Sequence, residues 1–159
     1  MSTIEETGVT GEISPRAAAP FRNPVLIRFA HCDMAGIVFY PRYLEIFNDR
    51  VEDWFREGLG FGFPEMHAVH RMGIPTVRLE VDFVAPSRVG DVLESVLTVR
   101  EMRRTSMTLS IELCGPDGVA RVRGKVVLVF LDLESRRPIV IPDWLRPRIE
   151  RFLVRQEAA

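Results

Sequence analysis

The stretch Tyr40-Pro41-Arg42-Tyr43-Leu44-Glu45-Ile46-Phe47-Asn48-Asp49-Arg50-Val51-Glu52-Asp53-Trp54-Phe55-Arg56-Glu57-Gly58 decides the fold. Tyr40, Tyr43, Leu44, Phe47, Val51, Trp54 and Phe55 recur at helical spacing and make one broad apolar face. Arg42, Glu45, Asp49, Glu52, Asp53 and Arg56 fall between them. Pro41 suits the first helical position, where its missing N–H costs nothing, and Gly58 suits the position just past the end. The spacing predicts a long helix beginning at about Tyr40, with an apolar stripe that needs a partner.

The partner lies further along the chain. After a Gly- and Pro-rich connection from Gly58 to Pro75 the period changes from that of a helix to that of a strand. Val77, Leu79, Val81 and Phe83 alternate with Arg78, Glu80 and Asp82, as a half-buried strand requires. Val92 to Met102, Ser106 to Cys114 and Val119 to Leu131 follow as further strands, with Gly115-Pro116-Asp117-Gly118 as a hairpin turn. These four strands read as an antiparallel meander. N-terminal to the helix, Val25-Leu26-Ile27-Arg28-Phe29-Ala30 suits one more buried strand. Residues 1–22 are polar and without periodicity, which predicts a flexible tail ahead of a single domain over 23–159. Trp144 to Phe152 suits a short closing helix. One apolar-faced helix and a one-sided sheet must bury each other, so the fold class is α+β, an antiparallel sheet wrapped over the helix.

A chain of 159 residues has the size of one domain, and 47% hydrophobic against 27% charged residues allows a substantial core. The formal charge of −1 gives no reason to expect nucleic acid or an anionic membrane as partner. Cys32 and Cys114 make neither a disulfide framework nor a zinc quartet. The N-terminus lacks a basic start followed by an apolar run, and no apolar stretch is long enough to span a bilayer. These features predict a soluble protein of the cytoplasm that binds no metal.

Chemistry concentrates just ahead of the helix, in Arg28-Phe29-Ala30-His31-Cys32-Asp33-Met34-Ala35-Gly36-Ile37-Val38-Phe39-Tyr40-Pro41-Arg42-Tyr43. An acid in a turn before a helix lies near the unpaired N–H groups and positive dipole end of that helix, which favour developing negative charge. A thioester carbonyl placed there would be polarised by backbone N–H, with that of Tyr40 the best placed. The Asp33 carboxylate could then act on the carbonyl carbon or on water, the combination that acyl transfer to water needs. The plainer alternative makes Asp33 a turn former or helix cap. Gly36 implies a positive φ or a close approach to the acyl group. The Tyr40 side chain reads as core.

This block resembles the signature of the 4-hydroxybenzoyl-CoA thioesterase family of hot-dog proteins. The similarity continues through Val81-Asp82-Phe83-Val84-Ala85-Pro86-Ser87, Gly90-Asp91 and Glu101-Met102-Arg103-Arg104-Thr105-Ser106. The resemblance implies a hot-dog fold, a five-stranded antiparallel sheet around one long helix. It implies hydrolysis of an acyl-CoA without a cofactor, Asp33 as nucleophile or general base, and an oxyanion hole at Tyr40. It also implies a homodimer with active sites between protomers, paired into a tetramer. Contacts to the CoA nucleotide are expected at Arg103, Arg104 and Ser106, since guanidinium groups and hydroxyls suit phosphates. Arg121, Arg123 and Lys125 could extend that patch. Asn48, Gly73 and Ile74 match positions that line the acyl pocket. Asn48 and Ile74 depart from the polar residues of the 4-hydroxybenzoyl enzymes, so another aromatic acyl group or a medium aliphatic chain is expected.

His31 stands where many relatives have an acidic or small polar residue. It is either structural or a general acid that tunes Asp33. Cys32 should turn away from Asp33 and lacks a His partner. His67 and His70 are spaced as the start of a metal site, but no further ligand follows at a matching spacing, so they read as loop residues. Gly58-Leu59-Gly60-Phe61-Gly62 follows a helix where a nucleotide-binding loop should follow a strand. Neither a Gly-x-Ser-x-Gly elbow nor a His-Glu-x-x-His motif occurs. Two other functions suit the same fold, a hydratase or dehydratase and a non-catalytic binder of acyl thioesters, and a carrier-protein thioester could replace the CoA ester.

Overall fold

The computed structural model describes residues 18–155. Its central helix, α1 (Tyr40–Asp53), begins where the sequence predicts, with Phe39 as its cap and Pro41 in its first turn. It does not stop at Gly58. The chain continues through a π-helical turn, Trp54–Leu59, and ends on Gly60 in the left-handed conformation, φ +80°. Gly58 is small for a packing reason, since a Cβ there would lie 2.6 Å from Cδ1 of Trp54. The carbonyls at this helix end accept hydrogen bonds from the C-terminal segment. Arg151 donates to Gly58 at 2.6 Å and Arg148 to Leu59 at 3.1 Å, which satisfies groups that a helix end otherwise leaves to water.

The first strand, β1 (Phe21–Leu26), lies earlier than the predicted Val25–Ala30. Its pairing with β4 (Val92–Met102) runs from Phe21 opposite Leu97 to Leu26 opposite Val92. Polar Arg22 and Asn23 hid this strand, because an edge strand buries few of its side chains. Pro24 sits in its middle, and an edge tolerates the missing donor. Ile27 leaves the strand, and Phe29–His31 form a short 3₁₀ turn. Phe21 and Arg22, within the stretch predicted as tail, thus belong to a strand; residues 1–17 of that stretch lie outside the described residues.

Three more elements precede β4: α2 (Phe63–Ala68), β2 (Met72–Gly73) and β3 (Thr76–Phe83). Sequence reading missed α2 and β2. β5 (Ser106–Cys114), β6 (Ala120–Val129), β7 (Leu131–Asp132) and α3 (Arg146–Glu150) complete the chain, and β7 pairs with β2. The main sheet has five antiparallel strands in the order β1-β4-β5-β6-β3. Only β4 to β6 form a meander. β3 crosses to the far edge beside β6, so its Val77, Leu79 and Phe83 are exposed instead of half-buried.

One face of the sheet wraps α1. Phe47, Val51, Trp54 and Phe55 pack with Leu97, Val99, Leu109, Ile111, Val122 and Val126 in one buried cluster. Gly124 on β6 leaves the space that the Phe47 ring occupies. This is the sheet-over-helix α+β arrangement expected, and burial of apolar side chains at about 25 cal/mol per Å² makes it the main source of stability. Among the described residues no helix is long and apolar enough to cross a membrane.

Candidate active site

The Asp33 turn is built from its own backbone and moored by a loop further along the chain. Asp33 Oδ1 accepts the Ala35 N–H at 2.8 Å, the Asp33 N–H donates to Ile37 at 3.0 Å, and the Gly36 N–H returns to the Asp33 carbonyl at 3.0 Å. Gly36 has φ +76°, a conformation that favours glycine, and no described residue lies within 4 Å of where a Cβ would stand. Cys32 bridges Val38 across the turn, and Cys32 is half-buried. The Val38 N–H donates to the Ser87 carbonyl at 3.0 Å and Ile37 pairs with Arg88. Asp91 Oδ2 in turn accepts the Arg88 N–H at 2.9 Å. Asp33 is exposed, and its Oδ2 takes no hydrogen bond from the described residues.

The start of α1 is tied to the same turn. The Phe39 N–H donates to the His31 carbonyl at 2.9 Å, and the Arg42 N–H to Phe39 at 2.9 Å. Pro41 has no N–H. The Tyr40 N–H, alone between them, meets no acceptor among the described residues. The sequence places the Tyr40 ring in the core, whereas the structure leaves it 60% exposed, edge-on to Phe39 and Phe83. Tyr43, one turn on, is the buried tyrosine; it lies against Ser87, and burial pushes its hydroxyl pKa up.

His31 has a defined structural task. Its Nδ1 accepts the Arg28 N–H at 2.9 Å and caps the 3₁₀ turn. A neutral imidazole bonded in this way carries its proton on Nε2, which leaves one N–H to donate.

Three of the expected substrate-binding residues come together. Asn48, Gly73 and Ile74 line one cavity of about 390 Å³ between α1, α2 and the end of the sheet. Leu44, Phe47 and Val51 supply its α1 wall; Leu79, Val126 and Leu128 supply its floor. His67 lines it too and was missed. The signal was present in the spacing of Phe63 and His67, one helical turn apart on α2, but a helix of this length has no periodicity to read. His70 goes elsewhere, stacked 4.8 Å from Trp144 and 3.6 Å from Glu65, so the two histidines do not share a site.

Arg103 and Ser106 meet in a second concavity of about 310 Å³ with Arg78, Thr108 and Lys125. Arg104 does not line it; its carbonyl accepts the Ile141 N–H at 3.0 Å. Of the basic residues on β6 only Lys125 contributes. Arg121 is bound to Asp117 at 3.0 Å and Arg123 to Glu112 at 2.8 Å. Glu101 holds Arg103 at 2.9 Å and Glu80 pairs with Arg78, so the concavity is cationic but already partly neutralised. Among the described residues no cluster of His, Cys, Asp and Glu could hold a metal ion.

Comparison with known proteins adds a family. The model of the thioesterase-like superfamily matches residues 27–149. A 1,4-dihydroxy-2-naphthoyl-CoA hydrolase of Prochlorococcus marinus is 26% identical over 128 residues, which cover 78% of this chain and 85% of the relative. The acyl-CoA thioester hydrolase YbgC of Escherichia coli is 23% identical over 122 residues, 77% of this chain and 90% of the relative. A Staphylococcus aureus protein solved in complex with CoA superposes with a TM-score of 0.78 at 17% identity, over 86% of this chain and 85% of that one.

Proposed function

The chain belongs to the thioesterase-like superfamily, and on that ground we propose that it is an acyl-CoA thioesterase with Asp33 as its carboxylate and the Tyr40 N–H in its oxyanion hole. The observation that carries this is the junction itself: a turn hydrogen-bonded to a helix start, in which one carboxylate oxygen and the first helical N–H meet no partner among the described residues. The amide and the helix dipole would stabilise the oxyanion that forms as the thioester carbonyl is attacked. Asp33 attacks the carbonyl carbon to give a mixed anhydride that water then hydrolyses, or it takes a proton from the attacking water. Either way the C–S bond breaks, the CoA thiolate leaves and is protonated, and one water is consumed. A single turnover in heavy-oxygen water separates the routes, since only the anhydride route can carry label into the enzyme carboxylate. In this reading His31, with Nδ1 engaged by the Arg28 N–H, would offer Nε2–H as a proton donor, and Gly36 would hold the turn.

The acyl group would occupy the cavity of Asn48, Gly73 and Ile74. Phosphates of CoA would meet the concavity of Arg103, Ser106, Arg78 and Lys125; guanidinium and ammonium groups are their natural partners. The names of the two relatives, both acyl-CoA hydrolases, and the CoA bound to the structural neighbour support this choice of ester. Free Cys32 and Cys114 suit a reducing, cytoplasmic setting.

The site we propose is shared between two copies. In one chain the Asp33 region touches the Phe83 end of β3, through Tyr40 at 6.0 Å, while the cationic concavity lies at the Thr76 end. Those ends are about 23 Å apart along the strand. β3 is the open edge of the sheet, and antiparallel pairing with its own copy would bring each Phe83 end beside the other's Thr76 end. Such dimers would associate further into a tetramer.

Thiol release from a panel of aromatic and aliphatic acyl-CoAs tests the proposal, with Asp33→Asn as control. Asparagine keeps the acceptor that the Ala35 N–H needs, so the turn survives while the charge is lost. Turnover should fall at least about a hundredfold at an unchanged melting temperature. Equal rates in the two proteins would remove Asp33 from the chemistry.

A further inference from the structure

Behind the Asp33 turn lies a buried polar contact that the proposed chemistry does not use. Tyr43 is 4% exposed and Ser87 is fully buried, and the hydroxyl oxygens of both are shut off from solvent. The backbone and the hydroxyl of Ser87 both approach the Tyr43 hydroxyl. The Ser87 carbonyl already accepts the Val38 N–H at 3.0 Å, while the Ser87 N–H meets no backbone acceptor among the described residues. Neither hydroxyl has a partner of full hydrogen-bond geometry among the described residues, so each is the polar group within the other's reach. Buried polar groups pair with such a neighbour in the great majority of proteins.

Ser87 therefore stands where three pieces of the chain meet. Its own loop, between β3 and β4, is braced: the Gly90 N–H donates to Ile27 and the Ile27 N–H to Asp91, each at 2.8 Å. On one side Ser87 holds the turn through Val38, and its neighbour Arg88 pairs with Ile37. On the other side it faces Tyr43, one turn along α1 from Tyr40. The Tyr43 ring is gripped in the core, 6.0 Å from that of Phe83, so its hydroxyl is a fixed point. Burial pushes the Tyr43 pKa up, which keeps the contact uncharged through the neutral range. We infer that Tyr43 is a positioning residue, which through Ser87 fixes the Asp33 turn against the start of α1 and so sets the carboxylate in register with the Tyr40 N–H. Buried as it is, it meets neither substrate nor reacting atoms. The role presupposes the thioesterase proposal, whose geometry it deepens, and a lost register costs rate more than binding.

The test uses Tyr43→Phe, which removes one oxygen and keeps the packed ring, and Ser87→Ala, which breaks the same contact from the loop side. On an acyl-CoA that wild type cleaves, each should lower kcat about tenfold or more and leave KM within about twofold. The pH profile should keep its shape, because Tyr43 exchanges no proton with the substrate. The double variant should be no slower than the slower single one, since both remove one link. Hydrogen exchange reads the same register without turnover. In Tyr43→Phe the Val38 and Phe39 amides should exchange about tenfold faster, and those of β5 at the wild-type rate. A variant that melts earlier at full kcat, exchange unchanged at the turn, or rate losses that multiply in the double variant would overturn the inference. Faster exchange confined to the turn, in a protein that cleaves no ester, would uphold the positioning role and count against the thioesterase proposal alone.

Discussion

Asp33 is both a turn former and the proposed catalytic group, and the two roles use different oxygens. Oδ1 is occupied by the Ala35 N–H, which fixes the carboxylate and leaves Oδ2 to face a substrate. The cysteines offer a contrast in which burial removes reactivity. Cys114 donates its thiol proton to Glu112 at 3.2 Å, and burial pushes its pKa up to about 11. Only the thiolate reacts. Alkylation of Cys114 at pH 8 should therefore be on the order of a hundredfold slower in the native protein than in denaturant, with a rate that climbs steadily up to pH 11. Peptide mapping by mass spectrometry follows that site separately from Cys32; equal rates in the two states would mean that the thiol is not protected. Asp33 and Gly36 were legible in the sequence because a turn is a local structure, set by neighbours a few residues away. His67 was not, because its surroundings come from α1, α2 and β6, and nothing within its own segment reports them.

At the scale of elements, α1 and the sheet are coupled by size. The Phe47 ring fills the space over Gly124, so a methyl group there meets the ring in the middle of a packed layer. Gly124→Ala should cost about 1–3 kcal/mol by overpacking, measured by urea denaturation; a neutral result would mean that α1 shifts without resistance. Gly60 is different, with only Arg148 Nη1 near its Cβ position, at an ordinary contact distance of 3.8 Å, and φ +80°. Gly60→Ala should cost about 1 kcal/mol through backbone strain alone, with no effect on the packing of Trp54. The start of α1 was readable from Pro41 and the apolar spacing. Its end was misread at Gly58 because a π-helical turn carries the chain onward, and that turn is stabilised by Arg148 and Arg151, 89 and 93 residues from the carbonyls they bind.

For the whole molecule, the two edges of the sheet differ. Pro24, which has no N–H to donate, interrupts the edge that β1 presents, whereas β3 presents exposed Val77, Leu79 and Phe83. Strands paired about a two-fold axis place residues of the same parity opposite each other. With Leu79 or Glu80 on the axis, Arg78 faces Glu80 or Asp82 of the copy, so the edge is complementary to itself. Arg78→Glu should weaken the proposed dimer about tenfold or more, because the like-charge contact would occur twice. Adding Glu80→Arg and Asp82→Arg should restore it. Sedimentation velocity checks both, and a dimer indifferent to all three changes would place the contact elsewhere.

The amino-acid sequence alone determined the α+β class, the helix start at Tyr40, strands β4 and β5 and the turn that carries Asp33. Each depends on periodicity or on local turn chemistry, and those forces act between residues near in sequence. The tertiary structure decided the strand order, the edge position of β3, the span of β1 from Phe21 and the meeting of Asn48, His67 and Ile74 in one cavity. These depend on which surfaces bury each other across the sheet, a competition among distant segments that no window of the chain contains.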